Sequence, residues 1–211
     1  MTALIVTGTD TGIGKTVVSA MLALALEEFY WKPVQSGLTG ETDSETVARL
    51  GLPPERIVPE AYRLHQPVSP HRAAELDQVE IEAETLELPR VHRVLIVEGA
   101  GGVLVPLNRA VLQIELFARW RAPVVVVART ALGTINHTLL TIEALKRRAI
   151  TIRGIVFVGE EIADTMRSIA EFGGIKILGR LPIIENLSGN ALRDGFARGF
   201  RREDFAPGEP S

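Results

Sequence analysis

The run Val6-Thr7-Gly8-Thr9-Asp10-Thr11-Gly12-Ile13-Gly14-Lys15-Thr16 has the residue types needed to hold a polyphosphate. Its glycines let the backbone approach a ligand closely, so that successive N–H groups point at phosphate oxygens. Lys15 supplies a mobile cation to the outer phosphates, and the Thr16 hydroxyl can ligate Mg²⁺. Gly12, Ile13, Gly14, Lys15, Thr16 and Val17 are therefore the expected nucleotide-binding segment. The usual spacing puts a glycine where Thr9 stands; Gly8 lies one step earlier, which reads as a loop longer by one residue.

Other residues offer partners for that phosphate. Val94-Leu95-Ile96-Val97-Glu98 is an apolar run ending in a carboxylate, and Gly99-Ala100-Gly101-Gly102 follows at once. An acid at the end of a strand beside such a loop is placed to hold Mg²⁺ near outer phosphates. Lys32, in Trp31-Lys32-Pro33-Val34-Gln35-Ser36-Gly37, reads either as a second cation for a transferring phosphoryl group or as a solvated surface lysine. Ser36 either meets a substrate or closes a turn. Asp43 precedes a helical pattern; the residues alone favour an N-cap over a second Mg²⁺ ligand. Asn136 reads as a cap of the helix that follows it, whose free N–H groups could receive a carboxylate. His71 and His137 have no metal-ligand spacing, and no Ser-His-Asp or Cys-His arrangement is evident.

The chain has 211 residues, a net charge of −3 and no cysteine. That length suits one domain with an ample core. The slight negative charge argues against nucleic acid as a partner, and the missing cysteine excludes disulfides and thiol chemistry. No run approaches membrane-spanning length and no signal peptide is read, so cytoplasm and no membrane partner are expected.

Short apolar runs alternate with helical patterns. Strands are predicted over Ala3–Thr7, Val94–Glu98, Val124–Ala128, Gly154–Val158 and Lys176–Leu181, with a shorter one over Tyr30–Val34. Helices are predicted over Thr16–Glu28, Asp43–Leu50, Val111–Arg119, Asn136–Arg148, Ile162–Phe172 and Asn190–Phe200. In Asn136–Arg148, Leu139, Leu140, Ile142 and Leu145 recur at helical spacing. Strands apolar throughout, alternating with helices, predict an α/β fold with a doubly wound, mostly parallel sheet and helices on both faces. Sites in such sheets lie at the carboxyl ends of strands, which gathers Gly8–Thr16, Lys32–Gly37, Glu98–Gly102, Arg129–Asn136 and Val158–Glu161 along one edge. The tail Ala206–Ser211 is expected to fray.

Taken together, Thr7–Thr11 with Gly14-Lys15-Thr16, Lys32-Pro33-Val34-Gln35-Ser36-Gly37, Thr42-Asp43, Ser69-Pro70-His71, Val97–Gly102, Gly133-Thr134-Ile135-Asn136-His137 and Gly179-Arg180-Leu181-Pro182 resemble the dethiobiotin synthetase family, in order along nearly the whole chain. The resemblance implies an ATP- and Mg²⁺-dependent cyclo-ligase of biotin synthesis. Its substrates would be 7,8-diaminononanoate and CO₂, joined through a carbamate and a carbamic-phosphoric anhydride. By the resemblance Lys32 and Lys15 are catalytic, with Thr11 beside them. Thr16, Asp43 and Glu98 match Mg²⁺ ligands, which raises Asp43 above a plain cap. Ser36 and Thr11 match residues near the diamine. Glu98, Gly99, Ala100 and Gly101 lie beside nucleotide and substrate. Gly133, Thr134, Ile135 and Asn136 would hold the substrate carboxylate from a partner subunit, so a two-fold homodimer is implied.

Three positions depart from the family pattern. Gly12 stands where Glu is frequent. Val158, followed by Gly159, stands where many members carry an Asn that reads adenine. Valine neither donates to nor accepts from a base, so weak adenine selectivity and use of CTP or other nucleotides are expected, with Pro182, Ile183 and Ile184 left to contact the base. Ile81–His92 is short, so a helix there is expected to be truncated. Three other readings compete. Partition ATPases carry an extra lysine where this chain has Asp10. Corrinoid amidating synthetases add a glutaminase domain with a cysteine that this chain lacks. A small-molecule kinase is the generic fallback.

Overall fold

The computed structural model describes residues 3–206. Its elements are β1 (Ala3–Gly8), α1 (Lys15–Leu26), β2 (Phe29–Trp31), β3 (Val34–Ser36), α2 (Asp43–Arg49), β4 (Ile57–Val58), β5 (Tyr62–Leu64), α3 (Pro70–Leu76), β6 (Leu95–Gly102), α4 (Gln113–Trp120), β7 (Val124–Arg129), α5 (Thr134–Arg147), β8 (Ile152–Val158), α6 (Ala163–Gly173), β9 (Ile177–Leu181) and α7 (Gly189–Gly199). Seven strands form one parallel sheet in the order β4-β2-β6-β1-β7-β8-β9. β3 and β5 pair in a separate two-stranded parallel sheet.

Side chains on a strand alternate between faces, and two cores result. Ala3, Ile5, Phe29, Trp31, Leu95, Val97, Val124 and Val126 pack on the side of α3, α4, α5 and α6. Leu4, Val6, Tyr30, Ile96, Val125 and Val127 pack on the side of α1, α2 and α7. A sheet covered on both faces needs strands apolar at every position, and β1 is buried throughout. α1 is likewise apolar almost all round, because α2 and α7 pack against it as well as the sheet.

The predicted elements are present, with instructive differences. Tyr30–Val34 is not one strand. Lys32-Pro33 ends β2, since proline has no N–H for a ladder, and the chain resumes as β3 in the small sheet. Glu98 does not end its strand: β6 continues to Gly102, which pairs with Gly8 after a register shift that leaves extra residues in β6. α5 begins at Thr134, capped by Gly133 at φ 91°, so Asn136 lies inside the helix rather than capping it. Leu140 is 56 % exposed while Leu139 is partly buried and Ile142 and Leu145 are core, so the predicted stripe is narrower by one residue. No helix forms over residues 81–92. α3 follows Ser69 with Pro70 as its first residue, a position where the missing proline N–H costs nothing. Ala206 is exposed and ends the described residues; the rest of the predicted frayed tail, 207–211, lies outside them. Among the described residues no helix is long and apolar enough to cross a membrane.

Candidate active site

Alternation on the strands chooses the site's residues. Tyr30 faces α1, and Lys32, two residues on, leaves the strand on that same side. Ile96 faces α1, and so does Glu98 two residues later. Thr16, one turn into α1, meets them: its Oγ1 lies 2.9 Å from Asp43 Oδ1 and 2.8 Å from Glu98 Oε1. Lys32 Nζ lies 2.6 Å from Asp43 Oδ2 and 3.1 Å from Glu98 Oε1, and donates to the Gly99 carbonyl at 3.2 Å. Five predicted residues from four separate segments therefore meet around one point.

The nucleotide loop wraps this point. Ile13 is buried beneath it, against Gly8; a Cβ on Gly8 would collide with the Ile13 Cδ1. Gly14 precedes α1 at φ 96°, a left-handed conformation that L side chains disfavour, and no side chain caps that helix. The first N–H groups of α1 are thus left for an anion. Lys15 Nζ donates to the Asp10 carbonyl at 2.6 Å. Burial, then the neighbouring Lys32 charge, lowers the Lys15 pKa from 10.5 to about 8 despite Glu98 and Asp43.

Asp43 is not the N-cap. Thr42 is, in a full capping box: Glu45 N–H donates to Thr42 Oγ1 at 3.3 Å and Thr42 N–H to Glu45 Oε2 at 2.8 Å. The cap one residue earlier frees the Asp43 carboxylate to turn toward Lys32, while its own N–H donates to Gln35 Oε1 at 3.2 Å. Burial would raise the Asp43 pKa, but Lys32, by charge and hydrogen bond, and then Thr16 outweigh it and hold the pKa below the ordinary value. Burial likewise pulls Lys32 down, and Glu98 and Asp43 overcome that and hold it above the lysine value. The cluster is a cation between two carboxylates, with Lys32 and Glu98 buried and Asp43 half-buried.

The donor set fits Mg²⁺. A hydroxyl and two carboxylates are hard oxygen ligands, and the Thr16 hydroxyl has one proton for two carboxylate neighbours. Among the described residues no group of three or more His, Cys, Asp or Glu forms a dedicated metal cage. Mg²⁺ takes one or two carboxylates and completes its shell with water and phosphate.

Three cavities among the described residues border the loop, and two of them hold most of the predicted site residues. One of about 370 Å³ is lined by Thr11, Lys32, Gln35, Ser36, Asp43, Ala100 and Gly101, with Pro67 to Pro70 and Val105 closing it. Ser36 Oγ is buried and has no hydrogen-bond partner among the described residues. The other, about 360 Å³, is lined by Gly12, Ile13, Gly14, Val17, Val158, Pro182, Ile183 and Ile184, with Arg129, Leu181 and Leu187 added. Gly159 is not in its lining; its N–H donates to the Leu181 carbonyl at 3.0 Å. Gly133, Thr134, Ile135 and Asn136 line neither cavity. Gln113 was not anticipated: it is buried, accepts from Ala100 N–H at 2.6 Å and donates to the Gly102 carbonyl at 3.2 Å, which shapes the glycine run. A lone polar residue beginning α4 amid apolar neighbours was its only signal. Tyr30 was read only as part of a strand; its hydroxyl donates to Glu98 Oε2 at 2.9 Å. Burial first, then the Glu98 and Asp43 charges, hold that phenol well above its ordinary pKa.

A parallel sheet with a glycine-rich loop running from its first strand into α1, and a Lys-Thr pair at the start of that helix, make this a P-loop α/β protein. Solved structures agree on the fold. The cell division ATPase MinD of Pyrococcus furiosus matches with a TM-score of 0.54 at 12% identity, covering 94% of this chain and 99% of that one. A plasmid partition protein of Borrelia burgdorferi B31 bound to AMPPNP matches with a TM-score of 0.52 at 12% identity, covering 92% and 90%. A family model described as an AAA domain matches residues 2–191. The ATP-dependent dethiobiotin synthetase BioD of Rhodopseudomonas palustris strain BisB5 is 60% identical, over 97% of each chain. That of strain HaA2 is 58% identical over 96% of this chain and 95% of its own. That of Brucella melitensis biotype 2 is 57% identical over 96% of each. The chain belongs to the dethiobiotin synthetase family.

Proposed function

We propose that this chain is an ATP-dependent dethiobiotin synthetase, which builds a cyclic urea from 7,8-diaminononanoate and CO₂. The supporting observation is the meeting of Thr16, Lys32, Asp43 and Glu98 between the P-loop and the cavity lined by Thr11, Ser36, Ala100 and Gly101. The diamine would lie in that cavity. One amine adds to CO₂ and loses a proton, giving a carbamate. A carbamate oxygen attacks the γ-phosphorus of ATP, ADP leaves, and a mixed anhydride forms. The second amine attacks the anhydride carbonyl, phosphate leaves, and the ring closes.

Each residue has a task in this sequence. Lys32, held protonated between two acids, faces the carbamate and stabilises its charge as it attacks. Lys15 turns from the Asp10 carbonyl to the outer phosphates. The N–H groups at the start of α1 cradle the phosphate chain. Ser36 Oγ and Thr11 meet the diamine. Thr16, Asp43 and Glu98 would hold Mg²⁺, which supplies charge neutralisation on the outer phosphates when bound. No step uses an enzyme nucleophile.

The cavity at Val158 suits the base. Its lining is mostly apolar, with backbone at Pro182–Ile184 available for hydrogen bonds, so CTP and other nucleotides should serve beside ATP. The substrate carboxylate is assigned to Gly133–Asn136 of a second copy. Supporting this, Leu104, Leu132, Ile135 and Leu140 are 51, 105, 38 and 56 % exposed. Leu104 and Leu140 line a cavity of about 500 Å³ together with Thr9–Thr11 of the P-loop, so a two-fold partner there would cover apolar surface and reach the site at once. The chain is read as one catalytic domain working in the cytoplasm. The likeness to partition ATPases is one of fold, and Asp10 stands where those carry their extra lysine.

The test is purified protein with 7,8-diaminononanoate, bicarbonate, Mg²⁺ and either ATP or CTP, with product followed by mass. Cyclic urea should form with both nucleotides. Nucleotide hydrolysis that is equally fast without diamine, and no cyclic urea, would refute the assignment.

A further inference from the structure

We infer that Tyr30 is a positioning residue for the metal centre: its hydroxyl pins the outer oxygen of Glu98 so that only the inner one is presented to Thr16, Lys32 and a bound Mg²⁺. The inference rests on Glu98 as a Mg²⁺ ligand, as proposed above.

The two Glu98 oxygens have separate partners. Oε1 lies 2.8 Å from the Thr16 hydroxyl and 3.1 Å from Lys32 Nζ. Oε2 accepts from the Tyr30 hydroxyl at 2.9 Å, and among the described residues from no other donor. Glu98 is 1 % exposed and Tyr30 0 %, so bulk solvent does not reach this pair. A carboxylate oxygen in such a place needs a donor. The strand register supplies this one. Tyr30 pairs with Ile96 across β2 and β6, and both face α1, so the tyrosine ring points along the sheet toward the next α1-facing residue of β6, which is Glu98.

The ring alone would be served by phenylalanine, as Phe29 serves the opposite core. The hydroxyl adds a restraint on rotation of the carboxylate about its last bond. Without it, Glu98 can turn both oxygens to Lys32, which stands within reach of Oε1 already. A metal would then compete with an ammonium for both oxygens. Partners that orient a ligating carboxylate commonly matter to metal affinity by 10- to 100-fold.

The test is Tyr30→Phe, which keeps the ring. Mn²⁺ is titrated into protein plus AMPPNP, and free Mn²⁺ is counted by electron paramagnetic resonance. The Kd for Mn²⁺ should rise by about tenfold or more. The Mg²⁺ concentration for half-maximal turnover should rise in step, with KM for the diamine within twofold of wild type. Replacing Tyr30 with p-aminophenylalanine restores a donor on the same ring and should recover most of the affinity, which also guards against misfolding of the first variant. Phe196→Leu, which loosens the same core from α7, should lower Tm and leave Mn²⁺ binding unchanged. A Mn²⁺ Kd within twofold of wild type in Tyr30→Phe, or an equal loss in Phe196→Leu, would overturn the inference. If the diamine assay fails while Tyr30→Phe still weakens Mn²⁺, the proposed reaction is wrong and the positioning role stands.

Discussion

Lys15→Met should make the nucleotide-free protein more stable while removing its ability to hold nucleotide. Folding lowers the Lys15 pKa from 10.5 to about 8, chiefly by burial. At about 1.4 kcal/mol per pH unit, carrying that charge into the fold costs about 3 kcal/mol at neutral pH. Methionine has a similar length and no charge, so the stem contacts beside Gly8 survive. It forfeits the hydrogen bond to the Asp10 carbonyl, worth about 1 kcal/mol. A net gain of about 2 kcal/mol is left, or a rise in Tm of about 4–8 °C for a chain of this size. The sign with pH follows from the direction of the shift. Below pH 8 both folded and unfolded chains hold the proton, and the wild-type penalty is complete. As pH climbs from 8 toward 10.5 the folded lysine releases its proton first, and the penalty fades. Calorimetry without nucleotide should therefore show the largest gain at pH 7 and little by pH 10. With AMPPNP and Mg²⁺ at pH 7 the order should reverse, because phosphates repay the wild-type charge and the variant cannot use them. A Tm at pH 7 equal to or below wild type, or a gain unchanged at pH 10, would refute this account of Lys15.

Lys32→Gln leaves the buried Glu98 and the half-buried Asp43 without their cation, which should lower stability by about 3 kcal/mol. Turnover should be lost, and added Mg²⁺ should restore its Tm more than it raises that of wild type; a Tm unmoved by the substitution would show that the ion pairs seen here carry no weight. Thr42→Ala removes the cap of α2 at a cost of about 1 kcal/mol, and since that cap releases Asp43, half-saturation by Mg²⁺ should also need more metal, read from initial rates against Mg²⁺. Val158→Asn gives the base cavity a donor and an acceptor, so the ratio of kcat/KM for ATP over CTP should rise about tenfold; an unchanged ratio would mean that Val158 does not face the base. Gly179→Ala should be among the most damaging single changes, since Gly179 has φ 155° and a Cβ would meet the Gly199 carbonyl and Phe200, and soluble yield and Tm should both fall.

Much of this protein is local and was legible. The Gly8–Thr16 loop declares itself because phosphate binding needs glycine, lysine and threonine at short spacing. β1, β7 and β8 declare themselves because strands covered on both faces are apolar at each position. What depends on distant pairing was not legible. Asp43 reads as a cap from its neighbours, and the capping box at Thr42, sealed by Glu45, releases it to Lys32. Glu98 reads as the end of a strand, while β6 runs on because Gly102 finds Gly8.

The residues alone therefore pointed to a polyphosphate held by Gly8–Thr16, with Glu98 a candidate metal ligand; the resemblance to the family added Asp43 to that set and a carbamate for Lys32. Only the tertiary structure decided how those groups meet. Strand alternation and register put Tyr30, Lys32 and Glu98 on the α1 face, where Thr16 waits, and left Gly133–Asn136 away from the cavity of their own chain. A motif is written within a few residues, whereas the face a side chain takes and the partner it finds are set by hydrogen bonds between strands far apart in the chain.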